Sequence, residues 1–223
     1  MKKLFISATV VASLLPAFAL AESASLTVSG TIIPTACTPS FAGGSVVDLG
    51  KISAADLNAD VQTELGLKNI TLSMNCNGRV PVAVRVHDNQ ASTQLDGITI
   101  DGRAEKMYIY GMGAASGVKI GGYGLRHGTP TVDALAMSLM YQQGGGIGGP
   151  SWLEPSSTLV AKNASDGGYI HYSWGRSVAE GPSNGIIHTL PMTLVPVVRA
   201  ASALPTGSDI TLDGSATFEL VYL

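Results

Sequence analysis

The stretch that decides the fold is residues 70–86, which read ITLSMNCNGRVPVAVRV. Apolar and polar side chains alternate there along two successive runs, Ile70 to Cys76 and Val80 to Val86. A period of two residues places alternate side chains on opposite faces, which is typical of a half-buried β-strand. Asn77 and Gly78, between the runs, form a turn signal. The stretch therefore predicts two neighbouring strands joined by a turn.

The same alternation recurs in shorter stretches along the rest of the chain. These lie at residues 23–32, 98–100, 107–110, 122–125, 169–174, 189–198 and 211–222. Residues 131–142 have the length of a helix, but their alternation fits a strand at least as well. Gly and Pro residues interrupt the runs as turns do. Many short strands separated by turns predict an all-β fold, an antiparallel β-sandwich.

Composition excludes several classes of protein. The chain has 223 residues, of which 13 are basic and 16 acidic, for a net charge of -3. No basic block is present, so the sequence carries no electrostatic signal for nucleic acid. The apolar content of 45% is too high for a disordered tail. The length allows one large β domain or two small ones, and the pattern favours one.

The amino terminus has the pattern of a secretory signal. Lys2 and Lys3 precede an apolar run that closes on Ala19-Leu20-Ala21, an A-x-A cleavage site. The alternative, a membrane-spanning helix, needs about 20 apolar residues, and this run is shorter and contains polar residues and Pro16. We therefore expect residues 1–21 to be a signal peptide, cleaved after Ala21, and the remaining chain to be exported.

Export determines the interpretation of the two cysteines, Cys37 and Cys76. An oxidising compartment favours a disulfide between them, and the alternative is two buried free thiols. Closing a loop of about 40 residues is worth about 4 kcal/mol in the chain-entropy model. No histidine lies near either cysteine in the sequence, so a zinc site is not expected. We expect neither a metal nor another cofactor.

Motifs of catalysis are missing from the sequence. The four histidines, His87, His127, His171 and His188, lie far apart and outside any H-E-x-x-H frame. No G-x-S-x-G nucleophile elbow occurs, and the glycines at 144–149 lack the Lys-Ser/Thr of a phosphate loop. His171 lies in an alternating run, where we expect it on the surface rather than as a base. The sequence predicts a protein that is not an enzyme.

Both ends of the chain and its cysteine framework resemble the pilus subunits of the chaperone–usher pathway, especially the tip-fibrillum adaptors and minor subunits. The resemblance is carried by residues 22–32 before Cys37, by residues 47–50, by residues 72–76, which end at Cys76, and by residues 216–222 with a penultimate Tyr222. Residues 101–190 are longer than a minimal subunit needs, and they contain glycine-rich stretches. The middle of the chain therefore fits the resemblance less well than its ends.

The resemblance implies an immunoglobulin-like sandwich that lacks its last strand and spans residues 34–223. An extension, residues 22–33, would donate a strand to the next subunit by β-strand addition. The donor side chains would be Ala24, Leu26, Val28, Gly30 and Ile32. The acceptor edge, first covered by a chaperone, would comprise Phe218, Leu220, Tyr222 and Leu223.

The implied partners are a periplasmic pilus chaperone, an outer-membrane usher and neighbouring pilus subunits. The protein would be periplasmic in transit and then part of a fimbria at the cell surface, where it would contribute to adhesion to a host or surface glycan.

Three alternatives remain at this stage. Residues 23–33 would be an ordinary first strand if the sandwich were complete. The chain would be a secreted carbohydrate-binding β-sandwich if Trp152, Trp174 and Tyr172 formed an aromatic platform with the loop 142–156, rather than filling the core. A periplasmic hydrolase has only the generic support of export and length.

Overall fold

The computed structural model describes residues 24–144, 151–163, 168–205 and 207–223. The predicted signal peptide and its cleavage site at Ala21 lie outside the described residues. The chain divides into two units, Met1–Ile33 and Pro34–Leu223. The described part of the first unit, residues 24–33, has no regular secondary structure, and its side chains are exposed.

The second unit consists of β-strands and short 3₁₀ helices, with no α-helix among its described residues. The strands are β1 (Cys37–Phe41), β2 (Thr63–Glu64), β3 (Lys68–Val80), β4 (Val82–Asp88), β5 (Tyr110–Gly111), β6 (Ala114–Ala115), β7 (Val118–Lys119), β8 (Gly121–His127), β9 (Thr131–Val132), β10 (Leu135–Ala136), β11 (Ser138–Gln143), β12 (Ile170–Gly175), β13 (Gly185–Val198) and β14 (Ala216–Tyr222). The 3₁₀ helices are Ala54–Asp56, Ala91–Thr93, Lys106–Tyr108 and Ala201–Ala203. Within the described residues, no helix is long and apolar enough to cross a membrane.

The strands form two main antiparallel sheets. The larger sheet has the order β1-β3-β13-β8-β5, with β2 and the β9–β10 hairpin attached to β13. The smaller sheet has the order β11-β12-β4-β14, and β6 pairs separately with β7. Every strand pairing among the described residues is antiparallel. The prediction of an all-β antiparallel sandwich is confirmed.

The core lies between the two sheets and is built from the alternating positions of their strands. Leu72 and Met74 of β3 pack there, as do Val84 and Val86 of β4, all of them almost fully buried. Burying one such side chain contributes about 1.5–3 kcal/mol relative to leaving it exposed. The period of two therefore places the apolar residues of 70–86 on the core side, as expected.

The turn predicted at Asn77 and Gly78 is wrong. Strand β3 runs without a break from Lys68 to Val80, and at Pro81 the chain passes to β4, which belongs to the other sheet. Asn77 stays in the ladder because its N–H donates to the Ala36 carbonyl (2.9 Å) and its side-chain oxygen accepts from the Ala36 N–H (2.8 Å). Pairing with the preceding segment thus overrides the local turn preference. Pro81 ends the strand because it has no N–H for the ladder.

Besides residues 23–32, whose described part forms no strand, two of the shorter predicted strands differ from the structure. Residues 98–100 form only an isolated bridge between Ile100 and Arg103, and residues 107–110 begin within the 3₁₀ helix Lys106–Tyr108. Residues 131–142, which fitted either a helix or a strand, form parts of three strands. Runs of three or four apolar residues carry too little periodicity to separate strand from turn.

The two cysteines are joined, as predicted. The bond links Cys37 of β1 to Cys76 of β3, which lie directly opposite each other in the ladder. It attaches the edge strand β1 covalently to the strand that carries much of the core.

Candidate functional site

The candidate site is the side of the sandwich where β1 and β14 end their respective sheets. Among the described residues, β1 pairs only with β3, and β14 pairs only with β4. The two edges lie close together, because the rings of Phe41 and Phe218 pack edge to face with their centroids 5.2 Å apart. We call the region bordered by the free edges of β1 and β14 the open side.

Burial falls sharply towards the open side within each sheet. Val84 and Val86 of β4 are each only 2% exposed, whereas Leu220 and Phe218, which pair with them on β14, are half-buried. The larger sheet shows the same step from a buried Leu72 to its half-buried partner Phe41. The cause is that β3 and β4 have a strand on each side, while β1 and β14 have one neighbour. The core is incompletely covered along this side.

The free backbone groups of β14 can be assigned from its register. The N–H of Asn89 donates to the Ser215 carbonyl (3.0 Å), so position 215 faces β4. Alternate residues of an antiparallel pair bond to the same neighbour, and the residues between them direct their N–H and C=O groups away from it. The outward residues of β14 are Ala216, Phe218, Leu220 and Tyr222. The residues with core-facing side chains therefore also present their backbone groups to the open side.

Strand β1 offers far fewer donors to the same space. Its even-numbered positions bond to β3, as the Ala42 N–H does to the Thr71 carbonyl (2.9 Å). The outward positions are therefore Cys37, Pro39 and Phe41. The Cys37 N–H already donates to the hydroxyl of Tyr222 (2.7 Å), and proline has no N–H. An added strand would find its main ladder on β14.

The opposite face of β14 carries a polar cluster that holds the strand on β4. Glu219 accepts hydrogen bonds from Arg85 and from His87, the latter at 3.1 Å if the histidine donates. The bond from Arg85 holds the pKa of Glu219 below its usual value, so the carboxylate stays charged near neutral pH. Arg85 also lies over the ring of Tyr169, 4.7 Å from its centroid. These contacts position an edge strand that has only one neighbour in its sheet.

The predicted acceptor residues come together on this edge. Phe218, Leu220 and Tyr222 are outward residues of β14, while the N–H of Leu223 points back to the Pro81 carbonyl (3.5 Å). Sequence reasoning missed Pro39 and Phe41. The alternation of Cys37, Pro39 and Phe41 in CTPSF was the available signal for them.

The predicted donor residues lie in the first unit. Ala24, Leu26, Val28, Gly30 and Ile32 are all exposed and belong to no strand. A Cβ atom added at Gly30 would meet nothing within 4 Å. Within residues 24–33, the part of this unit that the structure describes, these apolar side chains are not buried.

The aromatic platform is not supported by the structure. Trp174 and Tyr172 are buried in the core, and the Trp174 indole N–H donates to Nδ1 of His188 (3.1 Å). Trp152 is half-buried, and residues 145–150 of the loop 142–156 lie outside the described residues. The rings of Trp174 and Tyr172 fill the core because β12, which carries them, is an interior strand of its sheet.

The expectation of a surface position for His171 is wrong. The residue is only 2% exposed, and burial lowers the pKa of its imidazole. Its run does alternate, but β12 lies between β11 and β4, and both of its faces are covered. Within the described ranges, no group of three or more His, Cys, Asp or Glu residues is arranged to hold a metal ion.

Comparisons with known proteins extend over most of the chain. Residues 26–124 match a family model described as "Protein of unknown function (DUF1120)". The chain is 27% identical to Protein GltF of Escherichia coli (strain K12) over 226 residues, which cover 89% of this chain and 87% of that protein. It is also 27% identical to the Uncharacterized protein YhcF of the same organism over 88 residues, which cover 40% of this chain and 37% of that protein. The family match includes both cysteines and begins inside the predicted donor segment.

Proposed function

We propose that this chain is a non-enzymatic subunit of a chaperone–usher type surface fimbria, polymerised by donor-strand exchange. The observation that carries the proposal is the open side, where Phe218 and Leu220 remain half-buried on an edge whose backbone groups face outward. An edge strand with exposed apolar side chains is a template for another strand. A strand laid along β14 would cover this part of the core.

The donor of that strand is residues 22–33 of a neighbouring subunit. Leu26, Val28 and Ile32 stand at alternate positions, so an extended segment presents all three to the same face. Their burial contributes roughly 5–9 kcal/mol before the cost of ordering the segment. Gly30 has no side chain, so it permits the backbone of the donor segment to approach the acceptor strand closely.

The proposal implies a route and a set of partners. After export and cleavage following Ala21, a periplasmic chaperone covers the open side and prevents aggregation. An outer-membrane usher then brings two subunits together, and the donor segment of one replaces the chaperone on the other. The place in the fibre that fits best is that of an adaptor or minor subunit.

The two halves of this mechanism are tested by separate variants. The Leu26→Asp/Val28→Asp protein keeps its open side, so it should still co-purify with the chaperone. It should not donate a strand, because insertion would bury carboxylates without partners. A matched control is Ser25→Asp/Thr27→Asp, which places the same charges on the other face of the segment. Phe218→Asp should lose both chaperone binding and assembly.

The readouts are co-purification with the chaperone and the ladder of oligomers on unheated gels. The proposal predicts that Leu26→Asp/Val28→Asp loses the oligomers in which the variant must donate its own strand. Ser25→Asp/Thr27→Asp should retain these oligomers. An unchanged ladder with the first variant would contradict the proposal. So would a stable monomer that never assembles in the presence of chaperone and usher.

A further inference from the structure

A second feature lies at the far edge of the smaller sheet, away from the open side. That sheet has the order β11-β12-β4-β14, so β11 and β14 are its opposite edges. Next to β11 and β12 the structure contains a cleft of about 210 Å³. Its other walls are the end of the 3₁₀ helix Lys106–Tyr108 and the segment 155–161. A partner strand on β14 would leave this cleft accessible.

The lining combines aromatic rings with neutral polar groups. Three tyrosines contribute, Tyr108, Tyr141 and Tyr172, of which the first two are partly exposed and the third is buried. The polar residues of the lining are Gln143, Ser156 and Ser157, and the Ser157 hydroxyl accepts a hydrogen bond from the Leu159 N–H (3.1 Å). The lining residues are uncharged, and the Arg103 guanidinium lies outside the lining, over the Tyr108 ring at 5.7 Å from its centroid. Such a surface favours a neutral ligand that has both apolar faces and hydroxyl groups.

The hydroxyl of Tyr172 is prepared to donate to such a ligand. It accepts a hydrogen bond from the Ala161 N–H (2.8 Å), which leaves its own hydrogen for another acceptor. Burial raises the pKa of this tyrosine, so the hydroxyl keeps its proton at any physiological pH.

The walls of the cleft are held in place by bonds that do not involve a ligand. The Lys162 N–H donates to the Met107 carbonyl (2.9 Å), and its ammonium group donates to the Ile109 carbonyl (2.6 Å). That ammonium also pairs with the buried Asp88 carboxylate at 2.5 Å. On the other wall, Arg103 donates to the Ser156 carbonyl (2.9 Å). A cleft fixed in this way loses little conformational freedom when it binds.

We propose that this cleft binds a neutral pyranose ring of a glycan. The C–H faces of the sugar would lie on the rings of Tyr108 and Tyr141, and its hydroxyls would meet Gln143, the two serines and Tyr172. The cleft is smaller than the 300–1,000 Å³ typical of drug-sized ligands, so a single sugar residue fits it best. This binding does not depend on strand exchange, because the cleft and the open side lie on opposite edges.

The test is a titration of the purified full chain with methyl glycosides. The probes are the methyl pyranosides of glucose, galactose, mannose and N-acetylglucosamine, with methyl glucuronide as the charged comparison, and binding is followed by saturation-transfer NMR. At least one neutral probe should bind saturably and more tightly than methyl glucuronide. Tyr141→Ala should raise the Kd for that neutral probe about tenfold or more, because the variant loses the stacking surface. Tyr169→Ala, a partly exposed tyrosine outside the cleft, should leave the Kd unchanged.

Folding is controlled independently of binding. Gln143 is exposed at the rim of the cleft. Gln143→Ala should therefore raise the Kd for the same probe severalfold and leave the melting temperature unchanged. Tyr141→Phe retains the ring and should bind more tightly than Tyr141→Ala. The proposal is overturned if no neutral glycoside binds, if methyl glucuronide binds best, or if Tyr169→Ala and Gln143→Ala have equal effects.

Discussion

The backbone N–H of Cys37 donates a 2.7 Å hydrogen bond to the hydroxyl of Tyr222, across a sequence separation of 185 residues. Cys37 belongs to the larger sheet and Tyr222 to the smaller one. Since Cys37 is also bonded to Cys76, the penultimate side chain of the chain is tied to the disulfide at one end of the open side. This hydrogen bond leaves the outward backbone groups of Phe218 and Leu220 available.

Removal of that hydroxyl should destabilise the protein without changing its shape. Tyr222→Phe keeps the ring and leaves the Cys37 N–H without its partner, which should lower the free energy of unfolding by about 1 kcal/mol. Urea unfolding followed by fluorescence measures the difference. Tyr169→Phe is the control, because Tyr169 contacts Arg85 through its ring face. Equal stability of Tyr222→Phe and the native chain would show that the hydrogen bond contributes nothing.

The disulfide should contribute more than any single hydrogen bond. Reduction of the Cys37–Cys76 bond, whose cysteines are 39 residues apart, should cost about 4 kcal/mol of unfolding free energy. The measurement is the urea midpoint with and without dithiothreitol, and intact mass should show no free thiol before reduction. Cys37→Ala/Cys76→Ala provides the control, since its midpoint should not respond to the reductant. An equal response of both proteins would exclude the disulfide as the cause.

A peptide that mimics the donor segment should protect the open side. We expect the chain, refolded without a chaperone, to aggregate because apolar groups on β14 are exposed along an unpaired edge. An excess of a synthetic peptide of residues 22–33 should raise the yield of monomer measured by size-exclusion chromatography. The same peptide with Asp at positions 26 and 28 should have no effect. If both peptides act alike, the rescue is nonspecific.

His188 should make stability depend on pH in the weakly acidic range. Its Nδ1 accepts the Trp174 indole N–H, so Nε2 carries the proton and donates to the Val80 or Gly185 carbonyl, each at 3.1 Å. Burial lowers the pKa of the folded imidazole below 6.5. The unfolded chain therefore binds more protons in this range. Stability is complete above about pH 6.5 and falls as the pH drops below that value.

The measurement is the free energy of unfolding at several pH values between 5 and 7.5, above the range where carboxylates titrate. His188→Gln should reduce the loss of unfolding free energy at low pH. It should not abolish that loss, because the pKa of His171 is lowered as well. A steeper slope in His188→Gln than in the native chain would reverse the sign and refute the assignment.

Much of the local structure was accessible from the sequence. The alternation around Leu72, Val84 and Phe218 predicted strands and the side chains that face the core, because side-chain direction in a strand depends only on parity. The pairing of Cys37 with Cys76 followed from there being two cysteines and from the predicted export. These properties are encoded in neighbouring residues or in composition, and need no knowledge of distant contacts.

Tertiary structure decided which strands have a neighbour on each side and which residues meet. The same alternation of apolar and polar residues occurs in β4, whose core side chains are buried, and in β14, whose core side chains are half-buried. Alternation cannot distinguish them because it does not depend on whether a strand lies inside its sheet or at its edge. Asn77 stays in a strand because Ala36 pairs with it, and Trp174 is buried against His188. The cleft beside β11 joins Tyr108, Tyr141 and Ser156, which are separated along the chain by other elements. Such contacts depend on the complementarity of surfaces that only the folded sandwich brings together.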